Sequence, residues 1–299
     1  MYKLDFHGDD YAISVNNSKR MIELIESGRL NSISIIANMG CFDECMSLLH
    51  DKWDGFKNKP LISVHINLID GYLLSSDNPN IIQDNSWGNL FIRSLFPFPG
   101  KKAYKNSLST EISTQIKRVF DSIKDLKDDN EHPVSLRLDS HVHTHMIPLI
   151  FDAMTDALNS LNMSSRVSYI RNSCEPIKIF FKTPGVKGTF PAINLIKNLI
   201  LNILGKRVLR YCHSQNIDTG MLWGLMLSGN MDRKRIDILL PKMSEYARKK
   251  DSYMEVLCHP GIVLIEEKRP EYGKDDLASF FSKNRDAEYD MIMNHTDVY

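Results

Sequence analysis

The sequence predicts an α/β protein, specifically a single-domain, irregular (β/α) TIM-like barrel in which parallel strands are joined by crossover helices. Short β-branched segments alternate with amphipathic segments along the whole chain, which is the pattern of βαβ units. About seven strands in one run favour a closed or nearly closed barrel over an open sheet. No linker, repeat or low-complexity tract divides the chain, so we expect one domain over residues 1–299.

Each predicted element rests on a local pattern. Runs of β-branched residues such as "NSISIIAN" and "PLISVHINL" predict strands. Apolar residues three and four apart predict helices, and Gly28 is the stop signal of the first one. Strands are predicted at 2–6, 31–38, 60–68, 132–141, 166–172 and 252–261, and helices at 17–27, 42–51, 109–127, 148–161, 192–205, 232–250 and 284–293.

Two insertions, at about 70–106 and 174–205, interrupt this alternation. The first is rich in Asn, Ser, Pro and aromatic residues, and a long loop of this kind in a compact domain is usually functional or a lid. The second contains "AINLIKNLILNILG", a helix too short to span a membrane. It is either a core or interface helix, or a lip that touches an apolar substrate or a lipid surface. Pro241 lies inside the 232–250 segment and predicts a kinked or split helix.

Composition excludes several classes of protein. The formal net charge is 0, which argues against nucleic-acid binding as the main activity. The five cysteines form no disulfide framework, which favours a reducing compartment; Cys41 and Cys45 could be half of a metal site, but no second pair follows. The sequence has no secretory signal and no stretch apolar enough to span a bilayer. We therefore expect a cytoplasmic protein without an integral membrane segment.

Polar residues fall where predicted strands end. In parallel α/β folds the chemistry lies at the carboxyl ends of the strands. Asp9 and Asp10 follow the first strand, and His65 lies in the third. The fourth strand ends in the histidine run His141, His143 and His145, and the last strand is followed by His259.

These residues are suited to binding a divalent cation. Alternate residues of a strand share a face, so Asp139, His141 and His143 should lie along one side and could bind a cation together with His65 and one aspartate. Imidazole and carboxylate ligands suit zinc, and also manganese, iron or magnesium. The other carboxylate of the Asp pair could accept a proton, and His259 is a candidate general acid. Alternatively, some histidines cap the 148–161 helix or bind backbone carbonyls.

Four motifs resemble those of the YdjC-like carbohydrate deacetylases, which include chitooligosaccharide and hopanoid-associated deacetylases. They are "GDDYA" (8–12), "HINL" (65–68), "DSHVHTHMIP" (139–148) and "EVLCHPG" (255–261), in the family's order. "GLMLSGNM" (224–231) and "RDAEYDMI" (285–292) are weaker matches. The sequence departs from the usual pattern at His7, Gly8, Tyr11 and Ala12, where the family has Asn, Ala, Phe and Gly.

The resemblance implies an irregular (β/α) barrel with one divalent cation, Mg or Zn, bound by one Asp and two His. The implied ligands are Asp10, His65 and His141, with Asp9 as the base and His259 as the acid. His143 would orient a ligand or contact substrate, and which of His141 and His143 binds the metal stays open. Arg171, at the end of the fifth strand, could hold substrate, orient Asp9 or form a surface salt bridge.

The hypothesis for function is therefore a cytoplasmic, metal-dependent hydrolase of carbohydrate metabolism that removes the N-acetyl group of an amino sugar and releases acetate. Aromatic residues at 87–98 could stack on sugar rings or pack as core. Family members often form dimers, so a homodimer is possible. Two alternatives remain: a metal-dependent phosphoesterase that uses the His-x-His cluster, and a catalytically silent sugar-binding protein.

Overall fold

The computed structural model describes residues 3–274 and 277–294 of the chain. Strands and helices alternate along it. In order the elements are β1 (Lys3–Tyr11), α1 (Val15–Glu26), β2 (Ser32–Ile35), α2 (Phe42–Trp53), β3 (Leu61–Ile66), α3 (Trp87–Leu95), α4 (Lys101–Ile123), β4 (Leu136–Ser140), α5 (Pro148–Ser160), β5 (Val167–Ile170), α6 (Ile177–Phe181), α7 (Ala192–Gln215), β6 (Met221–Trp223), α8 (Arg233–Lys249), β7 (Tyr253–Cys258), α9 (Leu277–Phe280) and α10 (Asn284–Asn294).

The seven strands form one parallel sheet in the order β5-β4-β3-β2-β1-β7-β6, curled into a half-barrel with helices between the strands. The α/β, single-domain fold predicted from the sequence is thus confirmed. Its irregularity lies at the two edges of the sheet, β5 and β6, which no ladder joins within the described residues. Asp218, in the segment just before β6, bonds to β5: its N–H donates to Ser168 at 3.0 Å and its carbonyl accepts from Ile170 at 3.0 Å.

The two faces of the sheet differ in polarity. Apolar residues such as Phe6, Ile33 and Val64 are fully buried on the face that packs against the helices. The alternate positions carry polar side chains that contact one another across strands. These are Asp5, His7 and Asp9 of β1, Ser32 and Ser34 of β2, His65 of β3, Arg137 and Asp139 of β4, and Glu255 of β7. The half-barrel therefore has a polar interior.

Several sequence predictions need correction. The fourth strand ends at Ser140 rather than 141, and a 3₁₀ turn, His141–Met146, follows it. α8 runs through Pro241 as one helix, so the split alternative is wrong; its buried face, which includes Leu239 and Met243, packs against the body. The irregular 70–106 stretch contains α3 and the start of α4, and β6 carried no strand prediction.

The helix of the second insertion is longer than expected, because α7 runs on to Gln215. It ends where Asn216 adopts a left-handed conformation (φ 54°), which is a common helix terminator. Among the described residues, no helix combines the length and the apolar character that crossing a bilayer would require.

Candidate active site

The end of β1 brings two adjacent carboxylates into one cavity. The pairing of β1 with β2 is irregular between Gly8 and Tyr11, and Asp10 has a left-handed backbone (φ 70°). Adjacent residues of a regular strand point to opposite faces, but this bulge turns the side chains of both Asp9 and Asp10 toward the cavity. Both are almost completely buried.

Asp10 lies between two histidines and an arginine. Its Oδ1 is 3.1 Å from Nδ1 of His141 and 3.5 Å from Nε2 of His65, and Nη2 of Arg285 donates to its Oδ2 at 2.6 Å. Burial acts to raise the pKa of Asp10, but the charges of Arg285 and His141 outweigh it and hold the pKa well below its usual range. Asp10 is therefore a carboxylate.

His65 is oriented by Asp139, its neighbour in the β3–β4 register. Nδ1 of His65 lies 2.7 Å from Oδ1 of Asp139, which leaves Nε2 directed toward Asp9 and Asp10. Burial alone would lower the pKa of His65, but the charges of Asp9 and Asp139 raise it to about 9. A carboxylate that fixes the second nitrogen of an imidazole in this way is typical of metal-binding histidines.

Asp9 is held by a bidentate ion pair. Nη1 and Nη2 of Arg171 donate to its two oxygens at 2.8 and 2.7 Å, and Nε2 of His7 lies 3.2 Å from Oδ1. Against the effect of burial, Arg171 and His65 hold the pKa of Asp9 well below its usual range. Arg171 is fully buried and also pairs with Asp139 and Glu255, so the surface salt bridge considered from the sequence is wrong.

Oxygen and nitrogen atoms of Asp10, His65 and His141 all lie within 4.8 Å of one another, so they could hold one ion. Two other groups among the described residues have similar spacing, namely Asp5, His7 and Glu255, and His7, Asp9 and Asp139. Of the three groups, only the first has every member on the cavity wall, where an ion could meet a substrate. One carboxylate and two imidazoles form a donor set that suits zinc and other divalent cations.

The charge of the surrounding network also favours a cation. Ion pairs connect five carboxylates to three arginines, so the formal charge is −1 with the proton that His65 binds in the absence of metal and −2 once that proton is displaced. A divalent cation would balance this charge. The carboxylates are Asp5, Asp9, Asp10, Asp139 and Glu255, and the arginines are Arg137, Arg171 and Arg285.

The histidine run does not continue the strand as the sequence suggested. Val142 and His143 have left-handed backbones (φ 45° and 60°), so Asp139, His141 and His143 do not share a strand face. The turn forms because the Ser140 hydroxyl accepts from the backbone N–H of His145 at 2.8 Å. As a result His141 meets Asp10, whereas Nδ1 of His143 lies 3.0 Å from the hydroxyl of Ser173.

His145 has a structural role. Its Nε2 donates to the carbonyl of Arg171 at 2.8 Å, and its Nδ1 lies 2.6 Å from the Ser140 hydroxyl. Burial lowers the pKa of His145 to about 4, so the ring is neutral at pH 7. The alternative that some of these histidines bind backbone carbonyls therefore holds for His145.

The cavity has a volume of about 590 Å³. Asp9, Asp10, His65 and His141 lie on its wall together with His143, and Trp87 of α3 and Lys197 of α7 also line it. His259 follows β7 on the same wall, with a quarter of its side chain exposed. Oε2 of Glu288 accepts from the backbone N–H of His259 at 2.6 Å and lies 3.8 Å from its Nδ1.

Sequence reasoning did not assign a role to several residues of the site. Arg285 and Glu288 lie three apart on α10, and both reach the cavity. The sequence feature that could have indicated them is the weaker motif match "RDAEYDMI" (285–292), which contains both residues. Asp139 was considered as a ligand, but it contacts His65 and Arg171 instead of facing the cavity. Cys41 and Cys45 are buried, and no group of described residues that could hold a metal includes a cysteine.

The protein is thus an α/β protein whose parallel half-barrel carries carboxylates and histidines at its strand ends. A family model described as "YdjC-like protein" matches residues 3–296, and the chain belongs to this family. None of the curated proteins matches it. The crystal structure of a "putative cellobiose-phosphate cleavage protein" from Enterococcus faecalis has the same fold, with a TM-score of 0.55 and 15% identity over 99% of this chain and 92% of that chain.

Proposed function

We propose that the protein is a metal-dependent carbohydrate deacetylase that hydrolyses the N-acetyl group of an amino sugar to acetate and a free amine. The observation that carries the proposal is the group formed by Asp10, His65 and His141, with Asp9 beside it in the same cavity. Membership of the YdjC-like family supports a carbohydrate substrate. In this proposal residues 1–299 are one deacetylase domain, and the insertions at 70–106 and 174–205 supply walls at the substrate end of the cavity.

Asp10, His65 and His141 would hold the cation, Mg²⁺ or Zn²⁺. When bound, it supplies positive charge that polarises the acetyl carbonyl and stabilises the negative charge developing on its oxygen. Asp139 keeps Nε2 of His65 directed at the site, and Arg285 holds the second oxygen of Asp10. Both contacts fix the donor atoms before a substrate arrives, which reduces reorganisation during the reaction.

Asp9 is the proposed general base. Its carboxylate is ionised at neutral pH, and it accepts a proton from the water that attacks the acetyl carbon. Arg171 and His7 hold the carboxylate in place. Both oxygens of Asp9 accept hydrogen bonds from Arg171, which keeps the proton affinity of the carboxylate low. Its contribution to catalysis would therefore depend mainly on holding the attacking water in line with the acetyl carbon.

His259 is the proposed general acid. Nδ1 lies on the side of Glu288, so Nε2 is the nitrogen available to the substrate. When the amide C–N bond breaks, Nε2 donates its proton to the leaving nitrogen, which departs as a neutral amine. Glu288 positions the residue through its backbone N–H. His143, beside these groups, is proposed to contact substrate.

The direct test is acetate release from N-acetylated mono- and oligosaccharides, free and phosphorylated, with zinc, with magnesium and with chelator. We expect Asp9→Asn to lower turnover by about 10²–10⁴-fold while bound metal is unchanged. The exposed Asp125→Asn is the matched control and should keep full activity. An Asp9→Asn enzyme with normal turnover would remove Asp9 as the base. Phosphate release without acetate release would support the phosphoesterase, and tight sugar binding without either product the silent binding protein.

The ligand set is tested separately by elemental analysis. His65→Ala should lose most of the bound metal, whereas His213→Ala, which removes an exposed histidine of α7, should retain it. His141→Ala and His143→Ala distinguish the two motif histidines, because only His141 lies beside Asp10. Equal metal content in His65→Ala and the unsubstituted protein would refute the proposed site.

A further inference from the structure

The outer side of α7 is an exposed apolar face. We define the α7 face as Ile193, Ile196, Leu199 and Ile203, whose exposed fractions range from 48% to 69%. These residues are three or four apart, so they lie along one side of the helix. Soluble proteins seldom expose a continuous apolar stripe, and such stripes mark interaction sites.

The opposite side of α7 is attached to the body of the protein. Leu201, Gly205 and Val208 are buried there, and the amide of Asn198 donates to Glu175 at 3.0 Å. Glu175 in turn accepts the backbone N–H groups of Gly224 and Met226 at 2.7 and 2.8 Å. These contacts fix the orientation of α7, so the α7 face points to solvent.

A second apolar group lies on and just after α3. Ile92, Leu95 and Phe96 are each more than half exposed. α3 and α7 both contribute to the wall of the cavity, α3 through Trp87 and α7 through Asn194 and Lys197. The two exposed apolar groups are thus carried by the helices that flank the cavity that contains Asp10.

The charge around both helices is positive, although the whole chain is neutral with 37 basic and 37 acidic residues. Residues 176–215 include seven lysines and arginines and no Asp or Glu, and residues 86–109 include four and none. Arg207 and Lys105 pair with Asp152 and Asp156 of α5. Lys206 and Arg210, one turn and two beyond Ile203, extend the α7 face as exposed cations.

We propose that α3 and α7 form a docking surface for an anionic lipid bilayer. Exposed isoleucine and leucine side chains would enter the interfacial region, and the cations beside them would meet lipid headgroups. A second copy of the chain is a poorer occupant, because a two-fold contact would bring two positively charged surfaces together. The proposal rests on this surface and not on the reaction in the cavity.

The test is co-sedimentation of the full chain with vesicles of phosphatidylcholine, with and without about 30% phosphatidylglycerol, at low and high salt. We expect binding to the anionic vesicles and weaker binding at high salt. Lys206→Gln with Arg210→Gln should lower affinity by about fivefold for each cation removed. Ile196→Ser with Ile203→Ser should lower it by at least about tenfold.

Two control variants remove similar residues elsewhere. Ile265→Ser removes an isoleucine that is 82% exposed beside two glutamates, and Lys249→Gln with Lys250→Gln removes two exposed cations at the C-terminal end of α8. Both should bind vesicles as the unsubstituted chain does, and circular dichroism should show all variants folded. Failure of the unsubstituted chain to bind anionic vesicles would overturn the proposal. Equal losses of vesicle affinity in the control and test variants would also overturn it. The same holds if Ile196→Ser with Ile203→Ser dissociates a dimer of the chain while vesicle binding persists.

Discussion

The interior of the half-barrel and the α7 face both depart from the usual distribution of residues, in opposite directions. Arg171 is fully buried among carboxylates, whereas Ile203 is 69% exposed. The buried charges hold one another through ion pairs, so each one depends on its partners. The exposed apolar side chains contact little, so the folded chain does not depend on them. Replacing a buried charge should therefore lower the free energy of unfolding strongly, whereas replacing an exposed apolar side chain should not.

The largest effect should come from removing an interior cation. Arg171→Met leaves Asp9, Asp139 and Glu255 without their shared partner, and we expect the free energy of unfolding to fall by about 3–5 kcal/mol. Urea unfolding of the chelator-treated protein measures this. Arg233→Met, which removes an exposed arginine paired with Asp237, should change stability by less than about 0.5 kcal/mol. Similar losses in both variants would contradict the distinction between buried and exposed charges.

The next effect is a pH dependence produced by His65. The pKa of His65 is about 9 in the folded protein without metal and 6.5 as its ordinary value, so the folded state binds an extra proton between these limits. This stabilisation is complete below pH 6.5 and is lost as the pH rises toward 9. The loss amounts to about 1.4 kcal/mol per pH unit at its steepest.

His65→Asn is the variant that isolates this effect. The asparagine amide can still donate to Asp139 but does not titrate, so stability should fall less steeply between pH 6.5 and 9 than in the unsubstituted protein. Thermal unfolding with chelator across this range measures the difference between the two slopes. Identical slopes would show that His65 does not carry the proton.

A smaller effect, of opposite sign, should come from the backbone at the end of β1. Ala12 has φ 70°, a left-handed conformation that costs a residue with a Cβ about 1–2 kcal/mol. Glycine relieves this strain but loses more entropy on folding, so Ala12→Gly should stabilise the fold by about 1 kcal/mol. Ala103→Gly, in the first turn of α4, should instead destabilise, by up to about 1 kcal/mol. If Ala12→Gly lowered the free energy of unfolding, the left-handed backbone of Ala12 would not be a source of strain.

The sequence predicted which residues could meet, because the carboxyl ends of parallel strands lie at one edge of a sheet. Asp10, His65 and His141 are distant in the chain and lie within 4.8 Å of one another. Alternation also indicated Arg171 as a strand-end residue. Its bidentate contact with Asp9 could not be read from one strand, because it depends on the relative positions of β1 and the segment after β5.

Two other features were beyond sequence reasoning for physical reasons. A strand pattern extends naturally through "SHVHTH", and only the Ser140–His145 contact and the left-handed residues Val142 and His143 end it. α7 is apolar on both sides, so its sequence has no polar side from which to decide which one faces outward. Its orientation depends on tertiary contacts such as the bond from Asn198 to Glu175.

The smallest effect is expected for Ile203→Ala, and Leu201→Ala on the same helix is its matched comparison. Leu201 is 3% exposed and Ile203 is 69% exposed, two residues apart on the same helix. Leu201→Ala should cost about 2–5 kcal/mol, because it leaves a cavity. Ile203→Ala should change the free energy of unfolding by less than about 0.5 kcal/mol, and alanine's higher helix propensity favours a slight gain. A loss above 1 kcal/mol for Ile203→Ala in chemical unfolding would mean that this side chain is buried in solution, and the α7 face would then belong to the core or to a contact between copies of the chain.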